Sequence, residues 1–282
     1  MSDVVAVIGA GQMGNGITHV CAQAGLAVTM IDVSTAALAK GKSTIEKNLD
    51  RQVKKGVLDA AARDATLARI ATSGDLGAVA GATVAIEAAT ENVELKFRIF
   101  AELDRLAPAS AILATNTSSI SITAIAAQTQ RPAQVIGMHF MNPVPIIELV
   151  EIIRGLATSD ETARHVVELS KAVGKTPVEA NDYPGFIANR ILMPMINEAV
   201  YCVMEGVGTP EAVDAVMKLG MKHPMGPLAL ADLIGLDTCV AILDVLHTGL
   251  GDPKYRACPL LRKYVAAGWL GRKSGRGFFS YA

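Results

Sequence analysis

The sequence predicts an α/β protein in which a doubly wound, mostly parallel sheet is followed by an all-helical C-terminal domain. Two observations support this class. Short apolar segments alternate with helical segments up to residue 181, the pattern of a parallel sheet flanked by helices. After the punctuated stretch Asn181-Asp182-Tyr183-Pro184-Gly185-Phe186, only helical patterns and a turn-like tail follow. We therefore assign residues 1–183 to the first domain and residues 184–282 to the second.

The first predicted strand leads directly into a glycine-rich turn. The apolar run Val4–Ile8 is too short for a helix and rich in β-branched residues, so we expect a buried strand. The next six residues, Gly9-Ala10-Gly11-Gln12-Met13-Gly14, have the spacing G-x-G-x-x-G. These glycines allow a tight turn, close approach of the backbone to a pyrophosphate, and close packing of the next helix. Because amides at a helix start bind phosphates, the turn predicts a Rossmann-type dinucleotide site.

An acidic residue follows the second predicted strand, Ala27–Ile31. Asp32 lies eighteen residues after Gly14, close to the usual spacing for a carboxylate that binds a ribose diol. A carboxylate would repel the 2′-phosphate of NADP, and residues 33–35 contain no arginine to receive one. The cofactor is therefore predicted to be NAD. Its predicted contacts within this stretch are Gly9, Gly11, Gln12, Met13, Gly14 and Asp32.

Composition excludes several other classes. Apolar residues make up 51% of the 282 residues and charged residues 19%, which is enough for a folded core and argues against disorder. The net charge of −1 gives no basic field for nucleic acid. The four cysteines lack C-x-x-C spacing, which favours reduced thiols over disulfides or a zinc site. Since no apolar run approaches about eighteen residues and the glycine motif begins at residue 9, we expect a soluble cytoplasmic protein without membrane contact.

A helical excursion is predicted over residues 34–70. Ser34–Gly56 has the pattern of a long helix with Ser34 as N-cap, and Asp59–Ile70 that of a second helix. Positions 40, 47, 51 and 54 of the long helix are basic and fall near one helical face. The sequence alone favours a solvated face. The alternative is a site for a phosphorylated substrate tail.

Polar residues follow the next two predicted strands, Thr83–Ala89 and Ala111–Thr115. Ligands bind at the carboxyl ends of parallel strands, so Glu91 and Lys96 are placed near the predicted cleft. A helix-start acid and a surface lysine are equally good interpretations of these two residues. The polar group Asn116-Thr117-Ser118-Ser119 is richer than a helix cap requires, which favours substrate hydrogen bonding.

A histidine and an acid lie in the two strands that come next, Val135–His139 and Glu148–Ile153. A lone histidine is more often structural than catalytic. Glu151, however, is an isolated acid in an apolar strand and needs a partner. His139, twelve residues earlier across a turn with two prolines, is the obvious candidate.

The remaining elements complete the predicted plan. A helix over 160–173 and a strand over 176–180 end the first domain. The second domain is predicted to contain helices over 186–205, 210–219, 228–234, 236–246 and 260–267. Two such domains would leave a cleft between them. The apolar helical faces of the second would offer a surface for a partner subunit, and we expect a homodimer.

The residues also resemble a known family, the L-3-hydroxyacyl-CoA dehydrogenases, and most closely its stand-alone bacterial 3-hydroxybutyryl-CoA members. The resemblance runs along essentially the whole chain. It rests on GAGQMGNGI at 9–17, NTSS at 116–119, HFMNPVPIIELVE at 139–151, DYPGFIANRIL at 182–192, HPMGPLALADLIGLD at 223–237 and GRKSGRGFF at 271–279. The later blocks are far more specific than the glycine motif, which many families share.

The resemblance implies NAD-dependent oxidation of a 3-hydroxyacyl-CoA, or the reverse reaction. His139 would be the general base, Glu151 the acid that orients it, and Ser118 and Asn189 the groups that hydrogen-bond the reacting oxygen. Further cofactor and cleft contacts implied by the resemblance are Glu91, Lys96, Asn116, Ser118, Asn142 and Lys273. Coenzyme A would bind Asn48, Lys54 and Lys55 on the basic helix, which strengthens the phosphate-tail interpretation.

The sequence is also compatible with two other functions. One is an NAD-dependent dehydrogenase of another small hydroxy acid, which would not need the basic helix. The other is an NAD-binding structural relative without turnover, against which the presence of Ser118, His139, Glu151 and Asn189 argues. The reaction requires no metal, and the other histidines form no ligand cluster in the sequence, so no metal is expected.

Overall fold

The computed structural model describes residues 3–281, and the chain divides into two compact units that meet in sequence between Asp182 and Tyr183. The first unit is an α/β unit and the second is helical. Within residues 3–281, no helix combines the length and the apolar character that crossing a membrane requires.

The described part of the first unit contains one eight-stranded sheet. Its strands are β1 (Val4–Ile8), β2 (Ala27–Ile31), β3 (Ile70–Ser73), β4 (Val84–Glu87), β5 (Ile112–Thr115), β6 (Val135–Phe140), β7 (Leu149–Arg154) and β8 (Thr176–Asn181). Their spatial order is β3-β2-β1-β4-β5-β6-β7-β8. All neighbours pair in parallel except β6 with β7. The predicted doubly wound, mostly parallel sheet is confirmed.

This strand order determines where a ligand would bind. The chain moves outward in one direction from β1 to β2 and β3, and in the other from β4 onward. The carboxyl end of β1 is thus the point where the strand order reverses, and crevices at such points bind ligands in doubly wound sheets. The glycine turn begins directly after β1.

Helices pack on the sheet, or on other helices, through apolar faces. In the first unit they are α1 (Gln12–Gln23), α2 (Thr35–Lys54), α3 (Ala60–Ala68), α4 (Val93–Leu106), α5 (Ile122–Ala126) and α6 (Asp160–Ala172). Helix α2 buries Leu38, Ile45 and Leu49 at helical spacing while most of its lysines are exposed. Ser34 caps it as predicted, since its hydroxyl accepts a hydrogen bond from the amide of Ala37 at 3.2 Å.

The predicted end of the second helix in the excursion is wrong. The helix expected over 59–70 ends at Ala68, and Ile70–Ser73 instead forms β3, which pairs in parallel with β2. This strand lies at the edge of the sheet, and of its four residues only Ile70 is buried. An edge strand this short has no run of apolar residues, so the sequence contains no hydrophobic pattern from which the strand could be recognised.

The second unit is built from five helices in the described residues. They are α7 (Ala188–Met204), α8 (Pro210–Gly220), α9 (Pro227–Ile234), α10 (Leu236–Leu250) and α11 (Pro259–Ala266). Its own core includes Ile196, Val200, Leu228 and Leu243. The helix predicted from Phe186 begins two residues later, because Phe186 has a φ of +49°, outside the helical region. The predicted all-helical character is confirmed.

Candidate active site

The glycine turn leaves open space at its second glycine. A Cβ on Gly9 would lie 2.6 Å from the carbonyl oxygen of Ala88, and one on Gly14 would lie 1.8 Å from that of Gly9. These two glycines therefore permit close backbone packing. A Cβ on Gly11, in contrast, would have no atom of residues 3–281 within 4 Å apart from its chain neighbours. Gly11 is also the N-cap of α1, where no side chain competes for the first helical amides, so the turn fits an anionic group such as a pyrophosphate.

A cavity of about 370 Å³ lies on one side of the glycine turn. Gly9, Gly11 and Asp32 border it together with apolar side chains that include Leu76 and Ile99. Such a cavity fits a flat aromatic base with a sugar hydroxyl pair at its acidic edge, as the adenosine half of NAD would provide.

Asp32 has a second role in this region. One carboxylate oxygen accepts a hydrogen bond from the amide of Ala10 at 2.8 Å, and the other accepts one from the amide of Ser34 at 2.9 Å. The predicted ribose contact therefore also shapes the glycine turn itself.

A second cavity, of about 550 Å³, also borders the glycine turn. Its walls are formed by the glycine turn, by α2 and by the segment between β6 and β7. Lys40, Thr44 and Asn48, spaced four residues apart on α2, all line it. Opposite them, the Asn142 side-chain oxygen accepts a hydrogen bond from the amide group of Gln12 at 3.0 Å.

The residues predicted to bind coenzyme A fall into two groups. Asn48 lines the 550 Å³ cavity. Lys54 and Lys55 lie at the C-terminal end of α2, are exposed, and do not line it. The prediction that all three bind coenzyme A stays a prediction.

A buried ion pair lies at the carboxyl end of β4. Lys96 is 1% exposed and Glu87 0%. The Lys96 ammonium lies 2.7 and 2.8 Å from the two carboxylate oxygens of Glu87, and 3.5 Å from Glu91. The interpretation of Lys96 as a surface lysine is therefore wrong. Glu87 also accepts hydrogen bonds at 2.7 Å from the hydroxyl of Thr115 and from the amide of Ala89.

Glu91 organises the polar loop after β5. A single carboxylate oxygen of Glu91 accepts hydrogen bonds from the Thr117 hydroxyl at 2.6 Å, the Ser118 amide at 3.0 Å and the Ser119 hydroxyl at 3.1 Å. Through Glu91, the loop that carries Ser118 is connected to the buried Lys96. The predicted cofactor contact Glu91 thus has a clear structural role as well.

Asn116 joins this loop to β6. Its side-chain oxygen accepts a hydrogen bond from the amide of Phe140 at 2.9 Å, and the residue is buried. Phe140 follows His139 directly, so the polar loop and the predicted catalytic histidine are held at the same edge of the sheet.

His139 and Glu151 are brought together by the antiparallel pair of strands. They lie directly opposite each other in the β6–β7 register. The distance from His139 Nδ1 to Glu151 Oε2 is 2.8 Å, and both side chains are buried. With the proton on Nδ1, the ring donates to the carboxylate and Nε2 is the basic nitrogen. This contact was expected from the sequence, and the geometry suits a general base.

Two predicted site residues belong to the helical unit. Asn189 is buried in the first turn of α7. The Lys273 ammonium forms an ion pair with Asp237 at 2.6 Å. The proposed roles of Asn189 with substrate and of Lys273 with cofactor stay predictions.

Sequence reasoning missed Glu87, although the signal was present. Glu87 is an acid within the apolar strand segment TVAIEAA, the same pattern that identified Glu151 as an acid in need of a partner. Its partner Lys96 is nine residues away, on α4. Thr44 was also missed as a cavity residue, whereas Lys40 belongs to the basic face of α2 for which a phosphate-tail site was the alternative interpretation.

Comparisons with known proteins agree with this architecture. Residues 4–183 match the family model described as "3-hydroxyacyl-CoA dehydrogenase, NAD binding domain", and residues 185–281 match "3-hydroxyacyl-CoA dehydrogenase, C-terminal domain". The chain is 58% identical to a probable 3-hydroxybutyryl-CoA dehydrogenase of Bacillus subtilis over 98% of this chain and 96% of that protein. It is 56% identical to a 3-hydroxybutyryl-CoA dehydrogenase of Bradyrhizobium diazoefficiens, over 98% and 94%.

A solved structure extends the comparison to three dimensions. The crystal structure of (S)-3-hydroxybutyryl-CoA dehydrogenase from Ralstonia eutropha superposes with a TM-score of 0.98 at 51% identity and covers 100% of both chains. The fold and the matched first domain define an NAD-dependent oxidoreductase. The chain belongs to the 3-hydroxyacyl-CoA dehydrogenase family.

Proposed function

We propose that this protein oxidises (S)-3-hydroxyacyl-CoA to 3-ketoacyl-CoA with NAD, and catalyses the reverse, with 3-hydroxybutyryl-CoA as the preferred short substrate. The observation that supports the chemistry most directly is the contact between His139 and Glu151 at the edge of the sheet where the glycine turn lies. The similar proteins from Bacillus subtilis and Ralstonia eutropha, which bear the name of this activity, support the substrate class.

The proposed chemistry divides into a hydride transfer and a proton transfer. The glycine turn and Asp32 would hold NAD, which would supply the acceptor for a hydride from carbon 3 of the substrate. His139 removes the proton of the 3-hydroxyl through Nε2, because a neutral imidazole can accept a proton and the imidazolium can return it in the reverse reaction. Glu151 accepts the Nδ1 proton in a hydrogen bond, which fixes the tautomer and stabilises the imidazolium that forms.

Ser118 is proposed to hydrogen-bond the reacting oxygen. Its backbone amide is bound to Glu91, so the loop is held in place before substrate arrives. Fixed donors of this kind stabilise the charge that develops on oxygen in the reductive direction, when His139 returns its proton.

The decisive experiment compares substrates at saturating NADH. We expect rapid NADH oxidation with acetoacetyl-CoA, slower turnover with longer 3-ketoacyl-CoAs, and almost none with free acetoacetate. Turnover of free acetoacetate at the same rate would favour a dehydrogenase of small hydroxy acids instead. NADH binding without turnover of any of these compounds would favour the inactive structural relative.

The cavity of about 550 Å³ is proposed to receive the acyl-CoA chain. Asn48 lines it, and Lys54 and Lys55 lie further along the same helix, where they would meet the phosphates of coenzyme A. This arrangement supports a thioester substrate over a free acid, because a small hydroxy acid has no phosphate groups that could reach Lys54 and Lys55.

The helical unit is proposed to form a homodimer interface. It exposes several large apolar side chains: Ile191, Val207, Val216, Leu219, Met221 and Leu233. Leu219 is 77% and Val216 61% exposed on α8, and a second copy is the simplest partner for such a surface. Sedimentation at micromolar concentration should give a dimer, and Leu219→Lys should weaken it. A monomer under these conditions would remove this proposal without affecting the proposed reaction.

The protein is proposed to act in the cytoplasm. Its four cysteines are free thiols, as expected for a reducing compartment. Burial raises the pKa of the Cys21 thiol to about 12, so that thiol is unreactive. Cell fractionation with a tagged chain tests the location.

A further inference from the structure

A buried lysine supports the segment that connects the two strands of His139 and Glu151. Lys175 lies between α6 and β8 and is 8% exposed. Its ammonium donates hydrogen bonds to the carbonyl of Val144 at 2.5 Å and to that of Ile147 at 2.8 Å. Neither partner is an acid, so both of these hydrogen bonds are made to neutral carbonyl groups.

Burial of this ammonium has a free-energy cost, so we expect the group to have a specific role. Burial of a charged group removes it from water, and the carbonyl dipoles offset only part of that loss. Consistent with this, desolvation lowers the pKa of Lys175, against the opposing influence of Glu148 and Cys21. A neutral apolar side chain would fill the same space without this penalty.

The two carbonyls belong to the connecting segment, residues 141–148. Within it, Val144 is buried against Gly16 of α1: a Cβ on that glycine would lie 2.8 Å from the Val144 Cβ. The residue after Lys175 adds a further bond, because the Thr176 amide donates to the carbonyl of Glu148 at 2.8 Å. The segment is therefore held against α1 on one side and by the start of β8 on the other.

The same segment forms a wall of the 550 Å³ cavity. Asn142, Pro143, Val144 and Pro145 all line it, and Asn142 accepts the hydrogen bond from Gln12 of the glycine turn. Its position thus affects the cavity and the cofactor turn together. The His139–Glu151 contact depends less on the segment, because the β6–β7 ladder from Gly137 to Phe140 fixes it directly.

We propose that Lys175 is a positioning residue of the active site: its ammonium fixes the segment 141–148, and thereby Asn142, against the glycine turn. The kinetic consequence rests on the proposed dehydrogenase function. The structural consequence does not, so the two can be tested separately.

The test compares three variants of the full-length protein. Lys175→Met removes the charge and the donors and keeps much of the length. Lys175→Arg keeps both charge and donors. Lys171→Met is the matched control, because Lys171 lies in the last turn of α6, is exposed, and forms its ion pair with the exposed Glu168 at 2.7 Å.

The first readout is hydrogen exchange, which needs no activity. The amides of Ile146 and Ile147 both donate to the carbonyl of Pro143 at 3.0 Å within the segment. In Lys175→Met they should exchange at least tenfold faster, while the amides of β6 keep their rates. In Lys171→Met and Lys175→Arg they should exchange within about threefold of the unmodified protein. Unchanged exchange in Lys175→Met would overturn the proposal.

The second readout is the split between KM and kcat. Loss of one well-placed polar contact weakens binding by about five- to tenfold. Lys175→Met should therefore raise the KM for NADH by about that factor and change kcat by less than about threefold. Lys175→Arg should restore KM. A fall in kcat with unchanged KM, or an equal KM in the Met and Arg variants, would overturn the positioning role.

Two control outcomes keep the result interpretable. If Lys175→Met does not fold, Lys175→Gln replaces it, since glutamine keeps hydrogen-bond donors without the charge. This variant should show smaller increases in exchange rate and in the KM for NADH than those expected for Lys175→Met. Exchange rates and a KM equal to those of the unmodified protein would overturn the proposal. If the unmodified protein turns over no 3-ketoacyl-CoA, the proposed function fails, and the exchange measurement still decides the role of Lys175.

Discussion

The buried pair of Glu87 and Lys96 allows a quantitative prediction about stability. Breaking a buried ion pair by removal of one partner costs about 3–5 kcal/mol, because the remaining charge is left without compensation. In Glu87→Leu the Lys96 ammonium loses two contacts of 2.7 and 2.8 Å and keeps Glu91 and the carbonyl of Ala89, each at 3.5 Å. Thr115 and Ala89 also lose the acceptor of their donors, which adds about 1–3 kcal/mol.

Removal of the other partner should cost less. In Lys96→Met the Glu87 carboxylate keeps the Thr115 hydroxyl and the Ala89 amide as donors, so we expect a loss of about 3 kcal/mol, at the lower end of the range. The double variant contains no buried charge at this position. It should therefore be more stable than Glu87→Leu alone, since an apolar pair of similar volume often replaces a buried ion pair without loss.

Urea denaturation measures these changes. Circular dichroism follows both units, while the fluorescence of Trp269, the single tryptophan of the chain, follows the helical unit. The loss should appear in the dichroism transition and not in the fluorescence transition. Arg105→Met removes an exposed pair with Glu102 and serves as the control, with no measurable change expected. Losses below about 1 kcal/mol in both single variants, or losses that add in the double variant, would refute the argument.

Four further predictions concern the reaction and the binding of its cofactor and substrate. Asp32→Ala combined with a nearby arginine should shift cofactor preference toward NADPH; equal use of NADH and NADPH by the unmodified protein would contradict the role given to Asp32. His139→Ala should lower kcat by roughly two to four powers of ten while NAD binding survives. Glu151→Gln should also lower kcat, and the double variant should be scarcely worse than His139→Ala, whereas multiplying losses would show independent action. Replacement of Lys54 and Lys55 by Ala should raise the KM for acetoacetyl-CoA with little change in kcat, and this rise in KM should be smaller at high salt. An unchanged KM would mean that the basic face of α2 is only solvated.

Much of the fold could be predicted because its signals are local. The central strands are buried on both faces and give continuous apolar runs, such as Val4–Ile8, that no surface element would carry. The glycine turn is defined by backbone requirements that only glycine meets at Gly9, where φ is +107°. Strand β3 could not be predicted, since an edge strand of four residues buries too little to show a period.

The residues of the candidate site could be predicted from the sequence better than the hydrogen bonds between them. His139 and Glu151 were paired correctly because they lie twelve residues apart in adjacent strands. The contact between Glu91 and the loop of Ser118 could not be predicted, because it spans 27 residues and depends on the sheet order. The role of Lys175 could not be predicted for the same reason, since its partners are the backbone carbonyls of Val144 and Ile147, about thirty residues earlier.

The two hydrogen bonds of Asp32 limit how the cofactor preference of this enzyme can be engineered. The carboxylate is the acceptor for the amide of Ala10, which is buried, as well as for that of Ser34. An alanine at position 32 would remove the obstacle to a 2′-phosphate and at the same time leave a buried donor without a partner. A serine or asparagine would remove the charge and still offer an oxygen to Ala10. A redesign that starts from Asp32→Ser or Asp32→Asn should therefore reverse cofactor preference at a smaller loss of stability than one that starts from Asp32→Ala.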